Sequence, residues 1–361
     1  MRLLIAGGGT GGHLYPGIAV AEEVVRRGGQ VLFVGTSRGL EARAVPAAGY
    51  ALELLEVSGL KCVGLIAVLR SLVRLPRAFF RSLSILRRFR PDVVLGVGGY
   101  ASGPLVLAAA LWGYPTAIQE QNSVPGITNR ILSRLVRIVV VAFDEARGFF
   151  PAGKCETIGN PVRSKLVATL AAGADNGEQS GPLRVLVVGG SQGARAVNDL
   201  VLAAVEVLAN HGSLPALVHQ TGLSDENRCG ERYRTLGVVD RVEVRPFIDD
   251  MATEYHRASL VVARAGALTL AELAIAGRPA ILVPLPTAAD DHQSKNATRF
   301  AEAGAAIVLD QRTATGAELA QLLSDLLADS RRRQAMAAAM RSLARPKAAA
   351  DIVDRLERLT R

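Results

Sequence analysis

Cysteine is scarce in this chain of 361 residues. Cys62, Cys155 and Cys229 are scattered, odd in number and never paired as CxxC. That excludes a disulfide framework and points to a reducing compartment. Aromatic residues are also few, at 4 %, which argues against a stacking platform for single-stranded nucleic acid. No secretory leader is expected at the N-terminus, because glycines interrupt the apolar stretch after Ala6 before an h-region forms. Charge is missing from 26 consecutive positions between Asp92 and Gln119, longer than the ~18 that mark a membrane-span candidate. Yet Gly96, Gly98, Gly99, Gly103, Pro104 and Pro115 punctuate this run. It reads as strand, glycine loop, buried helix, strand. Acidic residues are missing twice, between Glu23 and Glu41 and again from Val57 to Pro91.

What is present is a large apolar fraction, 49 %, and a formal charge of +9. The first predicts a packed globular core. The second predicts phosphate-bearing partners, whether nucleotide, nucleic acid or an anionic membrane surface. Short β-branched runs alternate with amphipathic stretches: Leu3–Ala6, Val31–Val34, Val93–Leu95, Thr116–Ile118 and Ile138–Val141, then Val185–Val188, Val242–Val244, Leu260–Ala263, Ala280–Val283 and Ala306–Leu309. This alternation predicts an α/β protein with parallel sheets and right-handed crossovers. The second half restarts like the first, with RVLVVGGSQGA running strand into glycines and then a helix over 194–208. Two Rossmann-like domains are expected, at 1–160 and 161–344, with GNPVR at 159–163 as the hinge and a mobile loop at 171–182.

After the first strand, Gly7, Gly9 and Gly12 satisfy GxGxxG, and a helix is expected to start near Pro16. Bare backbone there lets amides approach an anion. A tight strand-to-helix turn is the simpler reading. The dinucleotide reading requires an acid about 20 positions on, and the gap between Glu23 and Glu41 argues against it. His13 closes the loop; a histidine there suits either a structural residue or a general base.

In the second half, VVARAGALTLAELAIAG runs strand into a helix beginning near Leu268, whose first amides suit a diphosphate. Glu272, about one turn in, is either a ribose ligand or a first-turn acid favoured by the helix dipole. Asp290, Asp291 and His292 resemble metal ligands, but adjacent helical side chains diverge by ~100°, so no metal site is expected. Gln293 and Asn296 suit hydrogen bonds to a sugar. In the acid-free segment, Arg70, Arg74, Arg77 and Arg81 recur at helical spacing among Leu69, Leu72, Val73, Phe79 and Phe80, with Pro76 expected to break or bend the helix. A solvated face, docking on anionic lipid and RNA binding are the three readings.

Eight phrases occur in order: GGGTGGHLYPGIAVA, VVLGVGGYASGP, QEQNSVPGITNR, GNPVR, VVGGSQGA, FIDDM, RAGALTLAEL and AADDHQSKNA. Together they closely resemble the bacterial N-acetylglucosaminyltransferases of peptidoglycan synthesis, the MurG family. The resemblance implies a GT-B fold, with the C-terminal helix at about 345–361 returning to the first domain. It implies inverting transfer of GlcNAc from UDP-GlcNAc to the muramyl 4-hydroxyl of undecaprenyl-pyrophosphoryl-MurNAc-pentapeptide, without cofactor or metal. A peripheral place on the cytoplasmic face of the inner membrane is expected, docked on anionic lipid through segment 64–90, with no nucleic-acid partner. The family's donor contacts fall on Thr10, Gly11, Gly12, Asn122, Arg163, Ser191, Ile248, Ala267, Leu268, Thr269, Leu270, Ala271, Glu272 and Gln293. Ile248 would hold uracil through its backbone, Glu272 the ribose, and Ser191 with the 267–269 amides the diphosphate. Acceptor contacts fall on Gly9, Gly98, Gly99 and Tyr100. One departure is visible: the family commonly has His where this chain has Gln119, which leaves His13 and Glu120 as the base candidates. The rivals are a UDP-GlcNAc 2-epimerase of related fold and a non-enzymatic basic nucleic-acid binder.

Overall fold

The computed structural model describes residues 1–37, 39–57, 65–172, 182–190 and 193–360, without the side chains of 65–75 and 172. The expected mobile loop at 171–182 lies almost wholly outside the described residues, as do Ser191 and Cys62.

The chain forms two units, Met1–Ser164 with Arg345–Arg361, and Lys165–Ala344. The first is built on β1 (Arg2–Gly7), β2 (Gln30–Gly35), β3 (Ala51–Leu54), β4 (Val93–Gly98), β5 (Thr116–Glu120), β6 (Ile138–Val141) and β7 (Cys155–Thr157). Their order is β3-β2-β1-β4-β5-β6-β7, and every pairing is parallel. The second unit holds β8 (Arg184–Val188), β9 (Ala216–Gln220), β10 (Val242–Arg245), β11 (Leu260–Ala263), β12 (Ala280–Leu282) and β13 (Ala306–Val308). Their order is β10-β9-β8-β11-β12-β13, again all parallel.

In each unit the strand order reverses beside the first strand, between β1 and β4 and between β8 and β11. Such a switch point opens a crevice at the carboxyl ends of the strands, where α/β proteins bind ligands. The central strands are apolar throughout because helices cover both sheet faces: Leu3, Leu4, Ile5 and Ala6 of β1 are all buried. In the helix Gly11–Arg26, the buried residues Leu14, Ile18 and Ala21 keep helical spacing and form one face.

Two sequence expectations are corrected. The first helix starts at Gly11, not near Pro16. Gly11 and Gly12 form its first turn behind an extended Thr10, and Pro16 falls in the second turn, where it removes only one backbone bond. The basic helix runs unbroken through Pro76, from Leu65 to Phe89, and packs along the helix Ser102–Leu111. That Ser102–Leu111 helix is too short to span a bilayer, and no helix of the described residues is long and apolar enough to cross a membrane.

The last helix, Ala348–Arg358, buries Ile352, Val353 and Leu356 and packs on the helix Gly11–Arg26. Arg27 pairs with Asp354 at 2.6 Å and Arg355 with Glu156 at 2.6 Å. Partly exposed pairs of this kind contribute ~0–1 kcal/mol each, so the apolar face carries most of the attachment.

Candidate active site

In the first unit, the turns after β1 and β4 interlock. The N–H of Gly8 donates to the Gly98 carbonyl at 3.3 Å. Gly98 and Gly99 have φ of +93° and +83°, and a Cβ on Gly99 would overlap the Gly8 backbone. Only glycine permits this approach. The half-buried His13 ring lies against Gly98, and its Nδ1 is 2.9 Å from the Thr10 hydroxyl. Thr10 occupies the N-cap position but its side chain does not cap the helix; it meets the imidazole instead. Tyr100 is exposed beside these turns.

Glu41 was visible in the sequence only as the end of an acid-free gap. Its side chain is buried, and it accepts the N–H of Gly9 at 2.7 Å and both the N–H and hydroxyl of Thr36 at 2.8 Å. The Gly9 amide therefore points inward to a carboxylate.

Glu120 ends β5 and is 2 % exposed. It accepts the N–H of Asn122 at 3.0 Å, the N–H of Gly126 at 3.2 Å and the Asn129 amide at 2.8 Å. Burial pushes its pKa up, and these bonds only partly oppose that. The carboxylate thus fastens the loop that carries Asn122. Gln119 is fully buried, donates to Asn160 at 3.2 Å and pairs with Gln121. The guanidinium of Arg163 lies 5.3 Å from the Tyr15 ring centre.

In the second unit, Gly266 precedes the helix Ala267–Ala276, and no side chain caps it. The first helical bond comes from Leu270 to the Gly266 carbonyl at 3.0 Å. The amides of Ala267, Leu268 and Thr269 precede that bond, at the positive end of the dipole. Beside them Arg264 is tethered, donating to the carbonyls of Val283 and Pro284 at 2.9 and 3.1 Å. One turn into the helix, Glu272 accepts the Tyr255 hydroxyl at 3.0 Å. Gln293 accepts the Leu285 N–H at 3.0 Å, which fixes its side-chain amide, while the Asn296 amide donates to the Ala265 carbonyl at 3.3 Å. Ile248 is buried just before Asp250, which caps the helix Met251–Arg257 through Thr253.

The Asp290–His292 group is turned to local bonds: Asp291 accepts the Ser294 hydroxyl at 2.6 Å, and His292 meets the Ala289 carbonyl at 2.7 Å. Among the described residues no group of three His, Cys, Asp or Glu side chains is disposed to hold a metal ion.

A polar network that the sequence did not announce lies under the β8–β9 side of this unit. His219, fully buried in β9, contacts the Tyr233 hydroxyl at 2.7 Å and the Asn198 side-chain oxygen at 3.0 Å. The Asn198 amide already donates to Thr221 and Asp225. Nε2 of His219 is therefore the donor to Asn198, and the Tyr233 hydroxyl donates to Nδ1. Burial lowers the His219 pKa to about 3.

Two parallel-sheet domains, each with a glycine and a helix start at its switch point, make up a GT-B fold. The family models agree: residues 3–141 match the glycosyltransferase family 28 N-terminal domain, and residues 184–356 match its C-terminal domain. The chain belongs to glycosyltransferase family 28. It is 50 % identical over 356 residues, 98 % of this chain and 92 % of the relative, to the UDP-N-acetylglucosamine–N-acetylmuramyl-(pentapeptide) pyrophosphoryl-undecaprenol N-acetylglucosamine transferase of Anaeromyxobacter dehalogenans (strain 2CP-C). The protein of the same name from Myxococcus xanthus (strain DK1622) is 49 % identical with the same coverage. Among solved structures, Acinetobacter baumannii MurG superposes with a TM-score of 0.80 at 33 % identity, over 99 % of each chain.

Proposed function

We propose that this chain is an inverting hexosyltransferase. It moves GlcNAc from UDP-GlcNAc to the 4-hydroxyl of MurNAc in undecaprenyl-pyrophosphoryl-MurNAc-pentapeptide, completing the lipid-linked disaccharide precursor of peptidoglycan. The observation that carries this reading is the identity of half the residues, along nearly the whole chain, to transferases named for that reaction.

Donor binding falls mainly on the second unit. The amides of Ala267, Leu268 and Thr269 stabilise the diphosphate as it gains charge on leaving, a task for which a helix start is suited. Glu272, held by Tyr255, receives the ribose hydroxyls; Gln293, held by Leu285, reads the GlcNAc hydroxyls; the backbone of Ile248 receives uracil. Thr10, Gly11, Gly12, Asn122, Arg163, Ser191, Leu270 and Ala271 complete the donor set by family resemblance. Acceptor binding falls on Gly9, Gly98, Gly99 and Tyr100. Gly9 contributes an open face there, since its amide is taken by Glu41.

The acceptor hydroxyl attacks the anomeric carbon opposite UDP. His13 removes its proton; a positioned base is worth ~10²–10⁴ in rate. Glu120, enclosed and bonded on both oxygens, acts by holding the Asn122 loop.

The basic helix docks the enzyme on anionic lipid at the cytoplasmic face of the inner membrane. Phe80 is 68 % exposed and Trp112 50 %, and they share a groove with Leu83, Ser84, Arg87 and Arg88. Arg87 lies 5.3 Å from the Trp112 ring centre, and Arg77 is exposed about one turn before Phe80. Apolar side chains amid arginines suit a headgroup boundary. The side chains of Arg70 and Arg74 lie outside the described residues.

The test is product analysis with labelled UDP-GlcNAc and the lipid acceptor. Label in a lipid-linked disaccharide is expected. Label found only in an epimerised nucleotide sugar, with the lipid unlabelled, would replace the transferase by an epimerase.

A further inference from the structure

We propose that Glu41 is a positioning residue for the transfer: from beneath the first glycine turn, its carboxylate sets the place of His13. This rests on the reading of His13 as the base.

The carboxylate is 1 % exposed and sits in a cavity shaped for it. A Cβ on Gly8, Gly35 or Gly39 would overlap its atoms. These three glycines come from the turn after β1, the end of β2 and the residues just before Glu41 itself. Burial alone would raise the pKa of Glu41, but the Gly9 and Thr36 donors outweigh it and the pKa falls below its ordinary value. The group is a buried anion with three donors aimed at it.

From Glu41 to His13 the contacts are continuous. Oε2 holds the Gly9 amide. The next residue, Thr10, accepts the N–H groups of His13 and Leu14 at 3.3 and 3.1 Å, and its hydroxyl meets Nδ1 of His13. The His13 ring then rests against Gly98, in the turn proposed for the acceptor. Removing the Glu41 tie to Gly9 shifts the turn, and a shift of ~1 Å at a reacting group can cost ~10²-fold in rate.

The discriminating change is Glu41→Gln. The amide oxygen can still face Thr36, but its NH₂ then opposes the Gly9 N–H, donor against donor. We expect kcat to fall by about 10²-fold. Donor affinity, measured by calorimetry with UDP-GlcNAc, should fall only a few-fold, because the second unit supplies most donor contacts and this turn only Thr10, Gly11 and Gly12, and amide exchange over residues 7–14 should speed up. Gly35→Ala reaches the same carboxylate from β2, where no left-handed backbone is involved, and should give the same kcat loss with a similarly small change in donor affinity. It also decides the matter if Glu41→Gln fails to fold. Normal kcat in either folded variant overturns the proposal, as does a uniform loss of donor binding and kcat together. If His13→Ala keeps normal kcat, the base reading fails, and Glu41 with it; if only the Glu41 and Gly35 variants are normal, the positioning role alone fails.

Discussion

The hydroxyl of Tyr255, on a ring with no exposed surface, donates to the carboxylate of Glu272 at 3.0 Å. A buried phenol thus aims an acid from behind, leaving the carboxylate fixed one turn past an uncapped helix start. Burial and the neighbouring Glu272 both push the Tyr255 pKa well above its ordinary value, so the donor keeps its proton throughout the working pH range. Glu272→Ala should raise the donor KM by about 10- to 100-fold, the worth of one hydrogen bond to a charged group, and should also lower the thermal midpoint, because the buried Tyr255 hydroxyl loses its acceptor. Tyr255→Phe should raise KM less. Steady-state kinetics at saturating acceptor check both, and an unchanged KM in Glu272→Ala would remove the ribose role.

His13→Ala should lower kcat by about 10²- to 10⁴-fold, while calorimetric binding of UDP-GlcNAc is retained. Glu120→Gln should act differently. It loosens the loop that carries Asn122, so the thermal midpoint should drop along with activity. A Glu120→Gln protein of normal stability and grossly reduced kcat would move the base from His13 to Glu120.

Docking through the basic helix predicts a salt-dependent affinity for vesicles. Each arginine near an anionic surface adds ~1 kcal/mol, so charge reversal at Arg77 and Arg81 together should weaken binding by at least about 30-fold. Arg81 and Arg88 both pair with Glu53, so Arg81 should contribute less than Arg77. Sedimentation with phosphatidylglycerol vesicles across a salt series measures this. Binding that ignores both salt and the reversals contradicts the proposed surface.

The His219 network predicts acid sensitivity of the second unit. The folded pKa lies near 3 and the ordinary value is 6.5, so the unfolded state binds the proton first as pH falls. Stability from this group is complete above about pH 6.5 and is lost toward pH 3, at a slope approaching ~1.4 kcal/mol per pH unit. His219→Gln preserves one donor and one acceptor but does not titrate. Urea unfolding at stepped pH should show a flatter profile for this variant between pH 6 and 4. Equal slopes for variant and wild type would show that His219 does not control the acid response.

The parallel sheets were legible because buried central strands are continuous apolar runs, as in β1, β4 and β8. The strands passed over had other signatures. β9 carries the buried His219 in its middle, which hid its apolar character; β3 and β7 lie at sheet edges and span four and three residues. Pro76 is expected to break or bend its helix, because proline removes a backbone bond there; the helix runs through it without a break. The site was legible where glycines and helix starts mark backbone chemistry, at 7–12, 98–99 and 266–269. Its supports were not. Glu41, Tyr255 and Asn198 act through partners 32, 17 and 21 or more positions away, and no local pattern announces such a contact. Glu120 was read as a possible base from its place in a motif; its enclosure by Gly126 and Asn129 appears only once the loop is folded.

The central claim is that helix-start amides hold the donor's diphosphate. The most direct measurement is a crystal structure with UDP-GlcNAc bound. Phosphate oxygens are expected within about 3 Å of the Ala267, Leu268 and Thr269 nitrogens, with the ribose at Glu272. Phosphates seated instead on the glycine turn at residues 7–12, with the Ala267–Thr269 amides facing only solvent, would contradict it.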